Sequence, residues 1–448
     1  MSAQRDVAGK RLPKQQIEDN FADIKPPLNA HQAAVEADRC YFCFDAPCTQ
    51  VCPTHIDIPS FIYKIRSGNL TGSARDILAE NIFGAMCARV CPVEDLCEGA
   101  CVRNTAEDKP VAIGLLQRHA TDALLANGRP LFTRAAASGK RVAVVGGGPA
   151  GLACAHRLAM LGHDVTVFEA RRKLGGLNEH GIAQYKVKDD IAQREVDWLL
   201  SIGGITARVG QRVGVDIGLA QLRRDFDAVF LGFGLGAVNA LGLDDESVPG
   251  VFDAVRYIET LRQTKDLSSL HVGRRVVVIG GGMTAIDIAV QTRQLGADEV
   301  TLLYRRGPEH MGASDYEREL AQSHGVNVRF WSRPRRLILS NGEVTGVEVE
   351  RTALVDGKMT ATGQTQVLAA DMLFKAIGQT LVADALDDSA RGILDSDAGK
   401  LSVDENRRTS LAGVWAGGDC VGIGKDLTVA AVQDGKLAAI DIDRVLRA

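Results

Sequence analysis

The stretch RVAVVGGGPAGLACAHRLAMLGHDVTVFEA at residues 141–170 decides the fold of this 448-residue chain. An apolar strand, a glycine-rich turn, an amphipathic helix and a second strand follow one another in it, which is how a βαβ dinucleotide-binding fold begins. The same pattern returns at residues 275–306 as RVVVIGGGMTAIDIAVQTRQLGADEVTLLYRR. The sequence therefore predicts an α/β protein with two Rossmann-like nucleotide-binding domains.

The first copy has the residues of a dinucleotide site. Gly146, Gly148 and Gly151 occupy the fingerprint positions, at which glycine permits a tight turn, a close approach to a pyrophosphate and close packing of helix on strand. Glu169 ends the second strand, where a carboxylate can accept hydrogen bonds from a ribose 2′-OH. The pyrophosphate is expected at the helix N-terminus.

The C-terminal segment assigns FAD to this first site. Gly418 and Asp419 follow an apolar strand that we expect to join the first sheet, so that the carboxylate can reach the ribityl or pyrophosphate region of a flavin. Thr428 begins the last helix, whose positive end can face the isoalloxazine, although a structural helix cap explains Thr428 equally well. The predicted FAD-binding residues are Gly146, Gly148, Pro149, Ala150, Gly151, Glu169, Gly176, Leu177, Gly418, Asp419 and Thr428.

The second copy differs at two positions that bear on the nucleotide. Ala285 replaces the third glycine, and the second strand ends in Arg305 and Arg306 instead of a carboxylate. Arginines can pair with a 2′-phosphate, which favours NADPH, although one or both can also be a solvated strand end. The predicted NAD(P)-binding residues are Gly280, Gly281, Gly282, Met283, Thr284, Ala285, Arg305, Arg306 and Gly378. No catalytic side chain is predicted, because hydride transfer between nicotinamide and flavin needs no protein acid or base.

Eight of the ten cysteines lie between Cys40 and Cys101. In a reducing compartment such a group indicates metal binding before disulfides. The first four are spaced CxxCxxxxCxxxCP, and CxxxCP closes bacterial ferredoxin runs, in which the last cysteine binds the other cluster. We therefore expect two interleaved 4Fe-4S clusters, with Cys52 joining the later cysteines and one of those crossing back. Zinc also suits sulfur ligands, but a flavin in the same chain favours iron and sulfur, since it supplies electrons.

The remaining sequence indicates three domains. Helical stretches such as Ile58–Arg66 and Ser73–Glu80 fill the cysteine-rich part, and Asn341-Gly342 predicts a type I′ hairpin in a β-meander of the second module. The expected domains are an α-helical iron-sulfur domain at 1–130, an FAD domain at 131–255 and 377–448, and an NAD(P) domain at 256–376.

Composition excludes other classes of protein. Hydrophobic residues make up 46% of the chain and charged residues 24%, with a formal net charge of −4. These values fit neither a disordered chain nor a polyanionic partner, so nucleic acid is not expected. The sequence has neither a signal-peptide pattern nor an uninterrupted apolar run of about 18 residues, so we expect a cytoplasmic protein without a membrane partner.

From about Cys40 to the C-terminus the chain resembles the N-terminal half of dihydropyrimidine dehydrogenase, and in particular the separate bacterial subunit of that family. The resemblance lies in CYFCFDAPCTQVCPTHIDIPSFI, CARVCPVEDLCEGAC, IGLLQRHATD, GGGPAGL with its later glutamate, and AGGDCVG with TVAAVQDGK. It implies one cluster on Cys40, Cys43, Cys48 and Cys101 and another on Cys52, Cys91, Cys97 and Gln117. Cys87 is then not a ligand.

The resemblance also implies a function. NAD(P)H is expected to reduce FAD, and electrons to leave through both clusters to an FMN-containing iron-sulfur partner that reduces the 5,6 bond of uracil or thymine. This chain lacks the FMN barrel and is expected to be the electron-input subunit. Where the mammalian enzyme has a further arginine this chain has Gly312, and bacterial relatives include NADH users, so NADH stays open beside NADPH.

Two other functions compete with this one. Glutamate synthase small subunits share the plan and are the main alternative, but their second cysteine group is two residues shorter and usually lacks a counterpart of Cys87. A zinc-bearing docking module fused to a flavin reductase is the third possibility.

Overall fold

The structure is a computed structural model that describes residues 11–244, 246–382, 386 and 399–448. Its helices are α1 (Lys14–Asn20), α2 (Ala30–Asp38), α3 (Pro47–Val51), α4 (Ile58–Arg66), α5 (Leu70–Glu80), α6 (Gly84–Val90), α7 (Val102–Glu107), α8 (Ile113–Asn127), α9 (Pro149–Met160), α10 (Leu177–His180), α11 (Ile191–Leu200), α12 (Leu219–Asp225), α13 (Ala254–Gln263), α14 (Met283–Gln294), α15 (Asp315–Ser323) and α16 (Thr428–Arg447). Its strands are β1 (Arg141–Val145), β2 (Asp164–Glu169), β3 (Ile205–Val209), β4 (Ala228–Leu231), β5 (Ala237–Val238), β6 (Val251–Asp253), β7 (Arg275–Gly280), β8 (Glu299–Leu303), β9 (Val326–Arg329), β10 (Ser332–Ser340), β11 (Glu343–Val355), β12 (Lys358–Ala369), β13 (Met372–Ala376), β14 (Gln379–Thr380) and β15 (Val414–Ala416).

The chain forms two compact units. One contains the described residues up to Ile24 together with His180–Tyr185 and Val238–Gly378. The other contains the described parts of Lys25–Glu179, Lys186–Ala237 and Gln379–Ala448. The cysteine-rich helices and the first nucleotide module thus belong to the same unit.

A parallel sheet in the order β15-β4-β1-β2-β3 organises the larger unit. Strands β1 and β4 are apolar and almost wholly buried, as expected when helices cover both faces of a parallel sheet. Strand β15 pairs with β4, so the C-terminal segment joins the first sheet, as the sequence predicts. Helix α16 packs along α9, and Gly435 permits the approach, because a Cβ there would lie 2.9 Å from the amide nitrogen of Cys154.

The cysteine-rich part of this unit is helical, from α2 to α8. Helix α4 begins and ends where the sequence predicts, at Ile58 and Arg66. Helix α5 begins three residues before the predicted Ser73, because the side chain of Asn69 caps it by accepting from the amide of Gly72. Phe61, Ile77 and Leu116 lie in the core of these helices.

The smaller unit has a parallel sheet in the order β6-β13-β7-β8-β9 and an antiparallel meander of β10, β11 and β12. Asn341 and Gly342 have φ of 52° and 80°, as a type I′ turn requires, so the predicted meander is confirmed. Helix α1 also belongs to this unit, since its Ile17 is buried with Leu295. The compact units thus differ from the predicted 1–130 domain, which groups α1 with the cysteine-rich helices.

No helix in the described part of the chain combines the length and the apolar character that crossing a lipid bilayer requires.

Candidate cofactor and cluster sites

The glycine turn after β1 has no room for a side chain at Gly146 or Gly151. Gly146 has φ of +99°, and a Cβ there would lie 2.7 Å from the carbonyl carbon of Gly232. A Cβ on Gly151 would lie 3.1 Å from the carbonyl carbon of Gly146. Gly148 is the N-cap of α9, and Pro149 and Ala150 are its first two helical residues. This geometry suits a phosphate group, which the backbone amides of the first helical turn can hold.

Glu169 lies beside this turn at the end of β2. Its carboxylate accepts hydrogen bonds from the amide of Gly147 at 2.8 Å and from the amide of Arg171 at 2.7 Å. Both bonds fix a largely buried carboxylate next to the first glycine position. A ribose hydroxyl that approaches the turn would find an acceptor there.

The segment before α10 covers the same turn. Gly176 has φ of +54°, and a Cβ there would lie 2.7 Å from the Cα of Gly148. The amide of Gly175 donates to the carbonyl of Gly147 at 2.7 Å. The structure therefore brings Gly176, and with it Leu177, to the turn that holds the other predicted FAD residues.

The C-terminal residues reach this place from the far end of the chain. A Cβ on Gly418 would lie 2.9 Å from the Cβ of Ala150, and the Gly418 amide donates to Asp434 at 2.8 Å. Burial, followed by the nearby Asp426 carboxylate, raises the pKa of Asp419 to about 6. Such a carboxylate is stabilised by ligand hydroxyl groups that donate to it.

Asn178 is a candidate that the sequence analysis missed. The hydroxyl of Thr428 donates to its side-chain oxygen at 2.8 Å, and Asn178 is only 1% exposed. Its side-chain nitrogen has no hydrogen-bond partner among the described residues. A buried, unpaired amide nitrogen costs about 1–3 kcal/mol, and an acceptor on a bound flavin would remove that cost. Its place two residues after Gly176 is the only signal in the sequence.

These observations fit FAD. The glycine turn can hold a pyrophosphate, Glu169 and Asp419 can accept from hydroxyl groups, and Asn178 has an unused donor. A flavin nucleotide needs all three functions.

The second glycine turn, in the smaller unit, has similar geometry. A Cβ on Gly280 would lie 2.7 Å from the carbonyl carbon of Ala376, and Gly281 lies equally tightly against the ring of Tyr304. Gly282 is the N-cap of α14, whose first residues are Met283, Thr284 and a fully buried Ala285. Gly378 has φ of +96° and accepts the amide of Asn239.

The two arginines at the end of β8 are exposed side chains. Their backbone carbonyls are fixed, since Arg305 accepts from the hydroxyl of Thr352 at 2.8 Å and Arg306 accepts from the amide of Trp331 at 3.1 Å. Gly312 lies beside the turn, where a Cβ would be 3.8 Å from the carbonyl oxygen of Gly281. The charge that a 2′-phosphate needs is thus available, with free space next to it.

The structure brings the four cysteines of the first predicted cluster together. Cys40, Cys43, Cys48 and Cys101 line one cavity, whose empty volume is about 370 Å³ with its open mouth included. Burial, and then the neighbouring Cys40 and Cys101, raises the pKa of Cys48 to about 12. Four crowded thiols of this kind are unfavourable as bare thiolates and become stable when iron neutralises them.

The second predicted group also converges. A hydrogen bond with Cys87, burial, and the nearby Cys97 and Cys52 raise the pKa of Cys91. Burial, and then the nearby Glu98 and Cys52, raise the pKa of Cys97. Cys52 is thus near Cys91 and Cys97, and Cys48 also acts on Cys97, so the two predicted cysteine groups adjoin each other.

Gln117 is buried on α8, and its side chain is held by α6, the short helix that precedes Cys91. Its side-chain nitrogen donates to the carbonyl of Gly84, the first residue of α6, at 2.7 Å. This bond leaves the amide oxygen, the atom that could bind iron. Among the described residues, no three His, Cys, Asp or Glu side chains converge as tightly as a single ion requires. Wider spacing suits a cluster, because each of its ligands binds a different iron atom.

The second cysteine group adjoins the helix that reaches the flavin site. Cys87, Leu96 and Val429 are buried together, with Cys91 and Leu427 packed against them. Thr428, between Leu427 and Val429, is the residue that bonds to Asn178. The first turn of α16 thus contacts both the second cysteine group and Asn178.

Two polar contacts fix this arrangement within the unit. The buried ammonium of Lys436 on α16 donates to the carbonyl of Thr54 at 3.1 Å and to Glu80 at 2.8 Å. The carboxylate of Glu195 on α11 accepts from the amides of Ala85 and Met86 at 2.7 and 3.1 Å.

The two remaining cysteines have the character of core thiols. Burial raises the pKa of Cys154 and raises that of Cys420 to about 12. The Cys420 thiol also donates to the carbonyl of Gly417 at 3.3 Å. Neither thiol is prepared for redox chemistry.

Two family models match the chain. The model described as dihydropyrimidine dehydrogenase domain II, 4Fe-4S cluster, matches residues 17–129. The model described as pyridine nucleotide-disulphide oxidoreductase matches residues 140–435.

Curated relatives are similar over almost the whole chain. The glutamate synthase (NADPH) small chain of Escherichia coli is 33% identical, over 97% of this chain and 95% of its own. The NAD-dependent dihydropyrimidine dehydrogenase subunit PreT of Salmonella typhimurium is 32% identical, over 96% of this chain and 98% of its own. The NADP(+)-dependent formate dehydrogenase subunit beta of Moorella thermoacetica is 35% identical over 90% of this chain, which spans 60% of that longer protein.

Solved structures share the fold. FprA of Mycobacterium tuberculosis in complex with NADPH matches with a TM-score of 0.56 at 20% identity, over 68% of this chain and 84% of its own.

Proposed function

The chain belongs to the pyridine nucleotide-disulphide oxidoreductase family, and on that premise we propose that it is the electron-input subunit of a dihydropyrimidine dehydrogenase. It is an NAD(P)H-dependent oxidoreductase with a flavin domain and a 4Fe-4S domain. Its relatives include subunits of larger oxidoreductases. When bound, FAD accepts the hydride of NAD(P)H as an electron pair, and the clusters carry electrons singly.

The contact between the second cysteine group and α16 carries this proposal. Cys87, Cys91 and Leu96 pack against Leu427 and Val429, on either side of the threonine at the flavin site. A stand-alone flavin reductase would gain nothing from this placement. A subunit that must pass electrons onward needs the cluster this close.

The side chains of the chain bind and orient, and we propose no acid or base among them. The two glycine turns would hold phosphates, Glu169 and Asp419 would accept from hydroxyl groups, and Asn178 and Thr428 would position the flavin as a hydrogen-bonded pair. Arg305 and Arg306 pair with a 2′-phosphate when the nucleotide is NADPH. Cys40, Cys43, Cys48 and Cys101 hold one cluster, and Cys52, Cys91, Cys97 and Gln117 hold the other.

The surface around the first cysteine group supports a partner protein. Tyr41 is 54% exposed, Tyr63 is 56% exposed and Phe44 is fully exposed, although each is a large aromatic side chain. Val51 and Val102 are also exposed in this part of the chain. We propose that an FMN-containing iron-sulfur subunit docks here and receives electrons from the first cluster.

The reaction of that partner distinguishes two candidates. The longer spacing between Cys91 and Cys101, and the presence of Cys87, favour the subunit that serves uracil and thymine reduction. The similar identity to the glutamate synthase small chain keeps delivery of electrons to a large amidotransferase subunit as the second candidate.

The test is to copurify the chain with its natural partner and to follow the oxidation of NADH and of NADPH with uracil as the acceptor. We expect uracil-dependent oxidation by the complex and none by the chain alone. Glutamate formation with a glutamate synthase large subunit, without uracil reduction beside an FMN-containing partner, would show that the pyrimidine assignment is wrong.

A further inference from the structure

Cys87 is the N-terminal cysteine to which the proposed ligand sets give no role. It is 2% exposed and lies on α6, one turn before Cys91. The amide of Cys91 donates to the carbonyl of Cys87 at 3.1 Å, so the two residues share one face of the helical turn. Their side chains belong to one buried cluster, in which Cys91 packs against Cys87, Leu96 and Val429.

The surroundings of Cys87 argue against two simpler roles. As a ligand it would displace Gln117, whose side-chain nitrogen is held by Gly84 at 2.7 Å so that its oxygen stays available. As a mere core residue it would not need a sulfur–hydrogen group beside the sulfur of a ligand.

We propose that the thiol of Cys87 donates a hydrogen bond to the sulfur of Cys91 and so raises the reduction potential of the cluster that Cys91 helps to hold. Reduction adds negative charge to a cluster and its sulfur ligands, and a donor at one of those sulfurs stabilises the reduced form more than the oxidised form. Cys87 is therefore a positioning and tuning residue, not a ligand.

The location of the bond gives it a purpose. Cys87 is buried against Val429, with Leu427 packed beside it, so the donor lies against the first turn of α16. A raised potential at this cluster favours its acceptance of electrons from the flavin. The inference rests on the proposed function and on its ligand set.

The experiment compares Cys87→Ala, Cys87→Ser and the control Cys154→Ala, a buried thiol on α9 away from the clusters. Each full-length protein is analysed for iron and sulfide and titrated with dithionite while the cluster signals are followed by electron paramagnetic resonance. We expect Cys87→Ala to keep the iron and sulfide content of the wild type and to lower the midpoint potential of one cluster. Cys87→Ser, which keeps a donor, should have a midpoint potential between those of Cys87→Ala and the wild type. Cys154→Ala should have the midpoint potential of the wild type.

Three results would overturn the inference. If Cys87→Ala titrates like the wild type, no potential-setting bond exists. If Cys87→Ala loses iron while Gln117→Ala keeps it, Cys87 is a ligand. If Cys87→Ala does not fold, Cys87→Ser alone decides. The bond is refuted if the midpoint potential of Cys87→Ser equals that of the wild type and its cluster signal loses no coupling to an exchangeable proton in D₂O. Absence of iron and sulfide from the wild type would instead refute the proposed function.

Discussion

Glu195 shows how a single buried side chain joins two parts of one unit. It lies on α11, about 110 residues after α6 in the chain. Each of its carboxylate oxygens nevertheless accepts a hydrogen bond from a backbone amide in the first turn of α6. Burial is the main cause that raises its pKa from 4.5 to about 8, and the two amide donors only partly oppose it. The folded protein therefore keeps a proton on this residue that the unfolded chain releases.

The sign of the resulting pH dependence follows. Well below pH 4.5 both states hold the proton, so the titration of Glu195 adds no pH dependence to the stability there. Between 4.5 and about 8 the unfolded state alone loses it, so the stability contributed by this group falls as the pH rises. The scale is about 1.4 kcal/mol for each unit of pKa difference.

We predict that Glu195→Gln flattens this pH dependence, because an amide of the same shape does not titrate. The measurement is the thermal unfolding midpoint of both proteins at several pH values between about 5 and 8. The difference between variant and wild type should grow in favour of the variant as the pH rises. A difference that stays constant over this range would contradict the assignment of a retained proton.

The strand-end arginines make a second prediction at this scale. Both are exposed beside the second glycine turn, so Arg305→Ala and Arg306→Ala should raise KM for NADPH about tenfold, the value of roughly one charge-assisted hydrogen bond, and leave KM for NADH unchanged. Steady-state kinetics of flavin reduction with each nucleotide measures this. Arg336→Ala is the control, since Arg336 is a surface arginine already paired with Glu348 at 2.9 Å. Equal effects on both nucleotides would mean that the arginines do not recognise the 2′-phosphate.

At the scale of elements, the crossing of α9 and α16 assembles the flavin site. Helix α9 carries the phosphate-binding turn at its N-terminus, and α16 carries Thr428 at its own. Gly435 allows them to touch, because a Cβ there would lie 2.9 Å from the amide nitrogen of Cys154 and closer still to the carbonyl oxygen of Ala150. The distance between these helices therefore sets the shape of the site.

Gly435→Ala separates packing from helix propensity. Helix propensity alone predicts that the free energy of unfolding rises by about 1 kcal/mol, since alanine is the better helix former. The contact with the α9 backbone predicts that it falls by about 1–3 kcal/mol, because the two backbones have to move apart. We expect the loss, seen as a lower thermal midpoint together with weaker retention of FAD on dilution. A midpoint at or above that of the wild type would show that the crossing tolerates a methyl group.

At the scale of the whole molecule, the proposed electron route ends at the first cysteine group, near the exposed aromatic residues Tyr41, Phe44 and Tyr63. The other cysteine group packs on the first turn of α16, which belongs to the flavin site. In the proposed route, electrons thus enter at the cysteine group beside α16 and leave at the group with the exposed aromatic residues.

Phe44→Ala should affect electron delivery to the partner without affecting flavin reduction. We expect reduction of the protein's own flavin by NAD(P)H to stay unchanged, while electron delivery to the partner falls several-fold, because Phe44 is a fully exposed aromatic side chain beside Cys43. Stopped-flow absorbance measures the first rate and partner-dependent turnover the second. Ile440→Ala is the control, an exposed apolar residue on α16. If both substitutions reduce delivery equally, the surface around Phe44 is not the docking site.

Local sequence patterns predict the features that depend on neighbours along the chain. The two βαβ turns, helix α4, the Asn341-Gly342 hairpin and the interleaved cysteine spacing are local patterns, in which backbone geometry or ligand reach restricts the residue type at a fixed offset. The flavin, nicotinamide and iron-sulfur cofactors follow from those patterns. Predictions of this kind need no knowledge of how distant segments meet.

The distant residues that complete the sites are found by tertiary packing. Asn178 meets Thr428 across 250 positions, Glu195 meets Ala85 across 110, and Cys87 meets Val429 in a shared apolar cluster. Helix α1 joins the second nucleotide module although it precedes the cysteines. No periodicity or spacing encodes such contacts, because they arise when separate elements bury apolar faces together and their polar groups then find partners. That packing places one cysteine group against the helix of the flavin site, and it is the physical basis of the proposed electron route.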